Sequence, residues 1–349
     1  MRECCVKKNL ALSFSICFLL SFFAFHTLCL ASSRESLSYP VPKLVEKHPL
    51  KVTIKKLFEK NFTERILNQP ICYRSSLFVS FTSGTVASYN LSDGEQRWTK
   101  DFPAVEGILD AIEDVILVKC KDKLLALQVM DGEKAWEIEY RPGTLYAKAD
   151  ESGVCPALMI DAVLYRLNVK NGLLEKLSKL KIRDGKATAF ACDAKKRAIV
   201  VVDQQAVTAF NLKTGKKLWS FLGGSNIPAP PLIYQKRLLV MCQDNYFYCL
   251  NARNGNLIYR KKADNRLMGG GERISSIVLF SSFASKNLNL LHIATGEIKS
   301  LFSLSSERYH FIYQPSYNAG FLVAAYADFF SDSNSLVVFE VEVKEEKSF

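Results

Sequence analysis

The stretch FNLKTGKKLW, Phe210 to Trp219, is one of six similar segments spaced almost evenly along this chain. Aligned on a shared glycine they read SYNLSDGEQRW (88–98), ALQVMDGEKAW (126–136), RLNVKNGLLEK (166–176), AFNLKTGKKLW (209–219), CLNARNGNLIY (249–259) and LLHIATGEIKS (290–300). The glycines are Gly94, Gly132, Gly172, Gly215, Gly255 and Gly296, and the steps between them are nearly equal. A period of roughly 40 residues means an array of like units, so the repeat sets the fold before any single segment is assigned.

Each column of the repeat has a physical reason. The residue before glycine is Asp93, Asp131, Asn171, Thr214, Asn254 or Thr295. Such pairs predict a two-residue hairpin turn with positive φ angles. Four residues before glycine stands a polar side chain, Asn90, Gln128, Asn168, Asn211, Asn251 or His292. It can bond the turn backbone or the next unit. Apolar neighbours on both sides give the period of a strand. Four residues after glycine comes a ring in four copies, Trp98, Trp136, Trp219 and Tyr259, while Lys176 and Ser300 break the column. A ring there can wedge between adjacent sheets. Two more short apolar runs precede each hairpin, such as ATAFACD (187–193) and AIVVVD (198–203), and no helical period occurs in 50–349. Four strands per period make an all-β chain of four-stranded antiparallel blades, a β-propeller.

A propeller has to join its ends or leave open sheet edges. KKLFEKN (55–61) resembles KKLWSFL (216–222) and puts Phe58 in the aromatic column, one period before Trp98. At the other end HFIYQPSY (310–317), GFLVAAYAD (320–328) and NSLVVFEVEV (334–343) supply three strands and the chain stops. The two fragments make one blade. The expected architecture is seven blades closed by the N-terminal strand, with eight as the alternative.

The segment 1–31 reads as an export signal. A basic start, MRECCVKKN, precedes an apolar run over 10–31, and Cys29-Leu30-Ala31 offers small residues for cleavage before Ser32. An uncleaved anchor is the competing reading, because the run is long enough to cross a bilayer. The expected organisation is a signal peptide or anchor at 1–31, a polar linker at 32–47 and the propeller at 48–349. The net charge is +11. Arg2, Lys7, Lys8 and Glu3 give the leader +2, which leaves +9 on 32–349. Those charges are scattered, so nucleic acid is not an expected partner. Beyond the leader six cysteines remain: Cys72, Cys120, Cys155, Cys192, Cys242 and Cys249. They sit mainly in apolar runs and read as small buried hydrophobes. Cys242 and Cys249, seven apart, face opposite sides of a regular hairpin.

The segment AFNLKTGKKLW resembles the repeat of the pyrroloquinoline-quinone-like propellers over about residues 50–343. In size and export the chain resembles the BamB-like branch, an outer-membrane protein assembly factor of Gram-negative bacteria. The resemblance implies a non-catalytic, monomeric protein-binding scaffold in the periplasm or on the outer face of a membrane. Its implied partner is a membrane-protein assembly complex. The chain departs from that branch in having seven recognisable blades rather than eight. Leu28 before Cys29 also fits a lipid-anchor site poorly. Two other readings are a small quinone-dependent oxidoreductase and an envelope polysaccharide-binding module. The quinoprotein branch implies an adjacent-cysteine disulfide, a catalytic Asp and a calcium site. The adjacent pair here, Cys4-Cys5, lies in the leader, and His48, His292 and His310 lack metal spacing. No catalytic, metal or cofactor residue is therefore assigned, and no cofactor is expected.

Overall fold

The computed structural model describes residues 50–148, 156–183, 185–193, 196–330 and 334–345. The leader, the linker, His48 and Cys155 lie outside the described residues. Among the described residues all regular structure is strand.

The first strand among the described residues is β1 (Leu50–Phe62). The first blade is β2 (Ile71–Tyr73), β3 (Ser76–Ser80), β4 (Thr85–Asn90) and β5 (Gln96–Asp101). The second is β6 (Val105–Ile112), β7 (Val115–Cys120), β8 (Lys123–Gln128) and β9 (Lys134–Glu139). The third is β10 (Leu145–Ala147), β11 (Ala157–Ile160), β12 (Val163–Leu167) and β13 (Leu174–Lys179). The fourth is β14 (Ala187–Asp193), β15 (Arg197–Val202), β16 (Ala206–Asn211) and β17 (Lys217–Leu222). The fifth is β18 (Leu232–Tyr234), β19 (Arg237–Met241), β20 (Tyr246–Asn251) and β21 (Leu257–Lys262). The sixth is β22 (Glu272–Ile274), β23 (Ile277–Phe280), β24 (Asn287–His292) and β25 (Ile298–Ser303).

The seventh blade joins the two chain ends. It holds β26 (Tyr309–Phe311), β27 (Ser316–Asn318), β28 (Phe321–Asp328) and β29 (Asn334–Glu345), with β1 as its outermost strand. β1 runs antiparallel to β29 from Leu50 opposite Glu345 to Phe62 opposite Asn334. Its inner position is shared by β26 and β27, which both pair with β28, so this sheet has five strands where the others have four. The architecture is a seven-bladed β-propeller, and the eight-blade alternative is not realised.

Among the described residues seven apolar clusters lie at the seven junctions between neighbouring blades, the last of them the closing junction of the seventh blade with the first. Between the fifth and sixth, Phe247 meets Phe280 edge-on at 4.7 Å. At the closing junction Leu336 and Val338 pack with Leu77, Val79 and Tyr89. The second strand of a blade has a neighbouring sheet on each face, so β3, β19 and β23 are buried at every residue. Outer strands are covered less, and β17 alternates with Trp219 buried and Ser220 exposed. Burying one such Phe stabilises by about 1.5–3 kcal/mol. Cys242 faces the cluster between the fourth and fifth blades, whereas Cys249 faces the one between the fifth and sixth. The described cysteines, Cys72, Cys120, Cys192, Cys242 and Cys249, are buried, and no disulfide joins them to one another.

Candidate functional site

The repeat positions form the joints of the ring. In the first blade the Asn90 N–H donates to the Glu95 carbonyl at 2.8 Å and the Gly94 N–H to the Asn90 carbonyl at 2.9 Å. The same two bonds close the turns at Gln128, Asn168, Asn211, Asn251 and His292. The loop therefore has four residues, and the two-residue hairpin expected from the sequence is corrected. Only the glycine is left-handed, with φ between 64° and 75°. The residue before it stays out of that region because its side chain has a local partner. Asp93 Oδ1 accepts from the Glu95 N–H at 2.8 Å, and Asp131, Asn171 and Asn254 do the same two residues on. This is the Asx preference for bonding nearby backbone. In the polar column Asn90, Asn168, Asn211 and Asn251 each accept a turn N–H through Oδ1 at 2.9–3.2 Å. Gln128 is exposed.

The aromatic column acts across the junctions. Each ring covers the turn glycine of the following blade: Phe58 on Gly94, Trp98 on Gly132, Trp136 on Gly172, Trp219 on Gly255 and Tyr259 on Gly296. The polar end of the ring then finds a carbonyl three residues before that glycine. Trp98 Nε1 donates to Val129 at 3.0 Å, Trp136 to Val169 at 2.7 Å, Trp219 to Ala252 at 3.3 Å and the Tyr259 hydroxyl to Ile293 at 2.7 Å. A β-bulge immediately before each ring, at Leu57, Arg97, Ala135, Leu218 and Ile258, re-aims it.

The two breaks in the column have separate causes. After Ser300 comes the seventh blade, whose third and fourth strands are the two chain ends, so no glycine turn is there to cover. After Lys176 comes Gly215, and the backbone of Lys179 rather than a ring lies against it. In both blades the bulge moves two residues on, to Leu177 and Leu301, and those leucines pack into the junction cores.

Two surfaces outside the joints carry chemistry. Alternation of strand direction puts the loops between second and third strands, and the links between blades, on the rim opposite the glycine turns. On that rim Met268 is 48 % exposed, Phe283 53 %, Phe329 50 % and Phe330 83 %. They span the fifth to seventh blades. The Gln243 amide reaches Met268 Sδ at 3.6 Å and the Phe283 N–H donates to the Arg266 carbonyl at 2.7 Å. Farther along, His310 stacks on Phe329 at 3.9 Å, and Arg308 lies over Phe330 at 5.9 Å while paired with Asp328. Burial lowers the His310 pKa, with Asp328 opposing. The bond from Arg308 holds the Asp328 carboxyl below its usual range. Composition does not reveal this patch, because its residues are scattered between Met268 and Phe330.

The second surface is the central opening, lined by the first strand of each blade. There the Tyr146 hydroxyl donates to Asp110 at 2.7 Å, and Gln69 bonds Gln314 and the Pro315 carbonyl across the closing junction. Burial pushes the Cys72 thiol up to about 12, and its sulfur donates to the Ser316 carbonyl at 3.1 Å. Lys148 directly follows the inner strand β10. Desolvation lowers its pKa, but Asp110 and Glu272 outweigh it, so the ammonium form is favoured. Among the described residues no three His, Cys, Asp or Glu side chains gather in a way that holds a metal ion.

The family model described as outer membrane protein assembly factor BamB matches residues 55–187 and 161–309. No curated protein matches the chain. Among solved structures, BamB from Moraxella catarrhalis is similar at TM-score 0.52 and 14 % identity, covering 82 % of this chain and 98 % of that one. The computationally designed Ika8 protein gives 0.55 and 12 %, covering 84 % and 91 %. The Cps50 (Swd1) β-propeller domain of Myceliophteria thermophila gives 0.58 and 14 %, covering 80 % and 99 %. These likenesses concern the fold. With its repeats matched over most of the ring, this chain belongs to the outer membrane protein assembly factor BamB family.

Proposed function

We propose that this chain is an exported, non-catalytic scaffold that assists assembly of outer-membrane β-barrel proteins by docking a subunit of the assembly complex. The observation that carries the reading is the exposed apolar run Met268, Phe283, Phe329 and Phe330 on one rim. Exposed rings grouped on one face of a monomeric ring mark a protein contact, and aromatic side chains supply most of the energy in such contacts. Arg308 beside them adds a charged group for orientation. In this reading residues 1–31 export the chain or hold it to the membrane, and residues 32–47 tether the propeller at 48–349 in the periplasm.

The test is site-specific photocrosslinking in the native envelope. A photoreactive residue at Phe330 captures a barrel-assembly subunit, and one at Met130 on the opposite rim does not. Equal capture from both rims, or dye-linked dehydrogenase activity of the purified protein, overturns the proposal.

A further inference from the structure

The junction between the third and fourth blades is built unlike the others. Elsewhere the turn glycine sits against a ring four residues after the preceding glycine; here Gly215 meets Lys179, seven residues after Gly172. The fourth blade is thus advanced three residues along β13, on the order of 10 Å at strand spacing. The Lys181 N–H donates to the Gly215 carbonyl at 2.8 Å and fixes the offset. On the fourth blade the Lys186 N–H donates to Asp203 Oδ1 at 2.7 Å.

The offset leaves a cleft of about 740 Å³ between Lys181, Ile182 and Arg183 on one side and the sheet on the other. Thr208, Phe210, Ser220 and Leu222 line the sheet side, with the Thr208 and Ser220 hydroxyls 2.9 Å apart. Lys181, Arg183, Lys216 and Lys217 also line it, and among the described residues Asp203 is the one acid that does. None of the four cations forms an ion pair among the described residues.

We propose that this cleft binds a small anion bearing two or more phosphate groups. Among the described residues, four cations against one acid in a single cleft match such a ligand better than a single carboxylate. The Arg183 fork suits bidentate phosphate contact, and the lysines add mobile point charges. The volume is that of a small-molecule site. The site is separate from the phenylalanine rim and does not depend on the docking proposal.

Isothermal titration of the purified protein with inorganic tripolyphosphate tests this. The wild-type chain binds, and Arg183→Glu with Lys217→Glu weakens binding by about tenfold or more, equivalent to about 1.4 kcal/mol. The control pair Lys261→Glu and Lys262→Glu, on the next outer strand, leaves affinity unchanged. Cardiolipin vesicles, whose headgroup bears two phosphates, identify a lipid headgroup as the source if they compete; vesicles that do not compete identify a soluble phosphate compound. No binding by the folded wild-type chain overturns the proposal, and so does an equal loss in the control pair.

Discussion

Trp219 covers Gly255 of the following blade so closely that a Cβ on Gly255 would stand 2.6 Å from Trp219 Cε3. The glycine is required twice, once for its φ of +75° and once for this approach. Gly255→Ala destabilises the ring by about 2–5 kcal/mol, because both strain and overpacking act. Gly143→Ala, at φ +87° with nothing within 4 Å, costs about 1–2 kcal/mol at most. Urea denaturation of the two variants separates the terms, and equal losses contradict the packing half of the argument.

Restoring the missing aromatic does not stabilise the chain. Lys176 is exposed, and the turn of the next blade lies against Lys179 instead. Lys176→Trp leaves stability within about 0.5 kcal/mol, as for other exposed substitutions. A gain of about 2 kcal/mol, well outside that range, would show that the third and fourth blades meet as the others do.

Acid weakens the seventh blade in two steps. Burial depresses the His310 pKa below its ordinary 6.5, so the unfolded chain takes the proton first. The neutral-His contribution is complete above that value and is lost as pH falls below it. Asp328 is depressed below 3.8 by Arg308, and its contribution is lost only on further acidification through that range. Urea midpoints measured from pH 7.5 to 5 fall, and His310→Phe, which keeps a ring against Phe329, removes most of that slope. A slope unchanged in the variant refutes the assignment.

The rim phenylalanines contribute to binding rather than to stability. Phe330, 83 % exposed, changes to Ser with a stability cost within about 0.5 kcal/mol. Combined with Phe283→Ser, it reduces capture of the barrel-assembly subunit in the envelope by about tenfold or more. Unchanged capture with a stable fold argues for another face.

What the sequence made legible was whatever recurs. The glycine period located six turns, and Phe58 at one further period located the strand that closes the ring. The four-residue loop was hidden because Asp93 before Gly94 reads as a two-residue turn until its side-chain bond to Glu95 is seen. The offset at Lys176 was visible only as a missing ring, since the position of a neighbouring blade is a tertiary property. The contacts of Tyr146 with Asp110 and of Gln69 with Gln314 join neighbouring blades beside the central opening, and no local pattern marks them.

Engineered disulfide trapping tests ring closure most directly. Asn61 lies opposite Ser335 in the β1–β29 ladder, and their side chains are 2.7 Å apart. Under mild oxidation Asn61→Cys with Ser335→Cys forms an internal crosslink, read by peptide mass spectrometry, whereas Asn61→Cys with Val337→Cys, two residues out of register, forms little. Preferential crosslinking of the Val337 pair, or none in either, contradicts a propeller closed by its N-terminal strand.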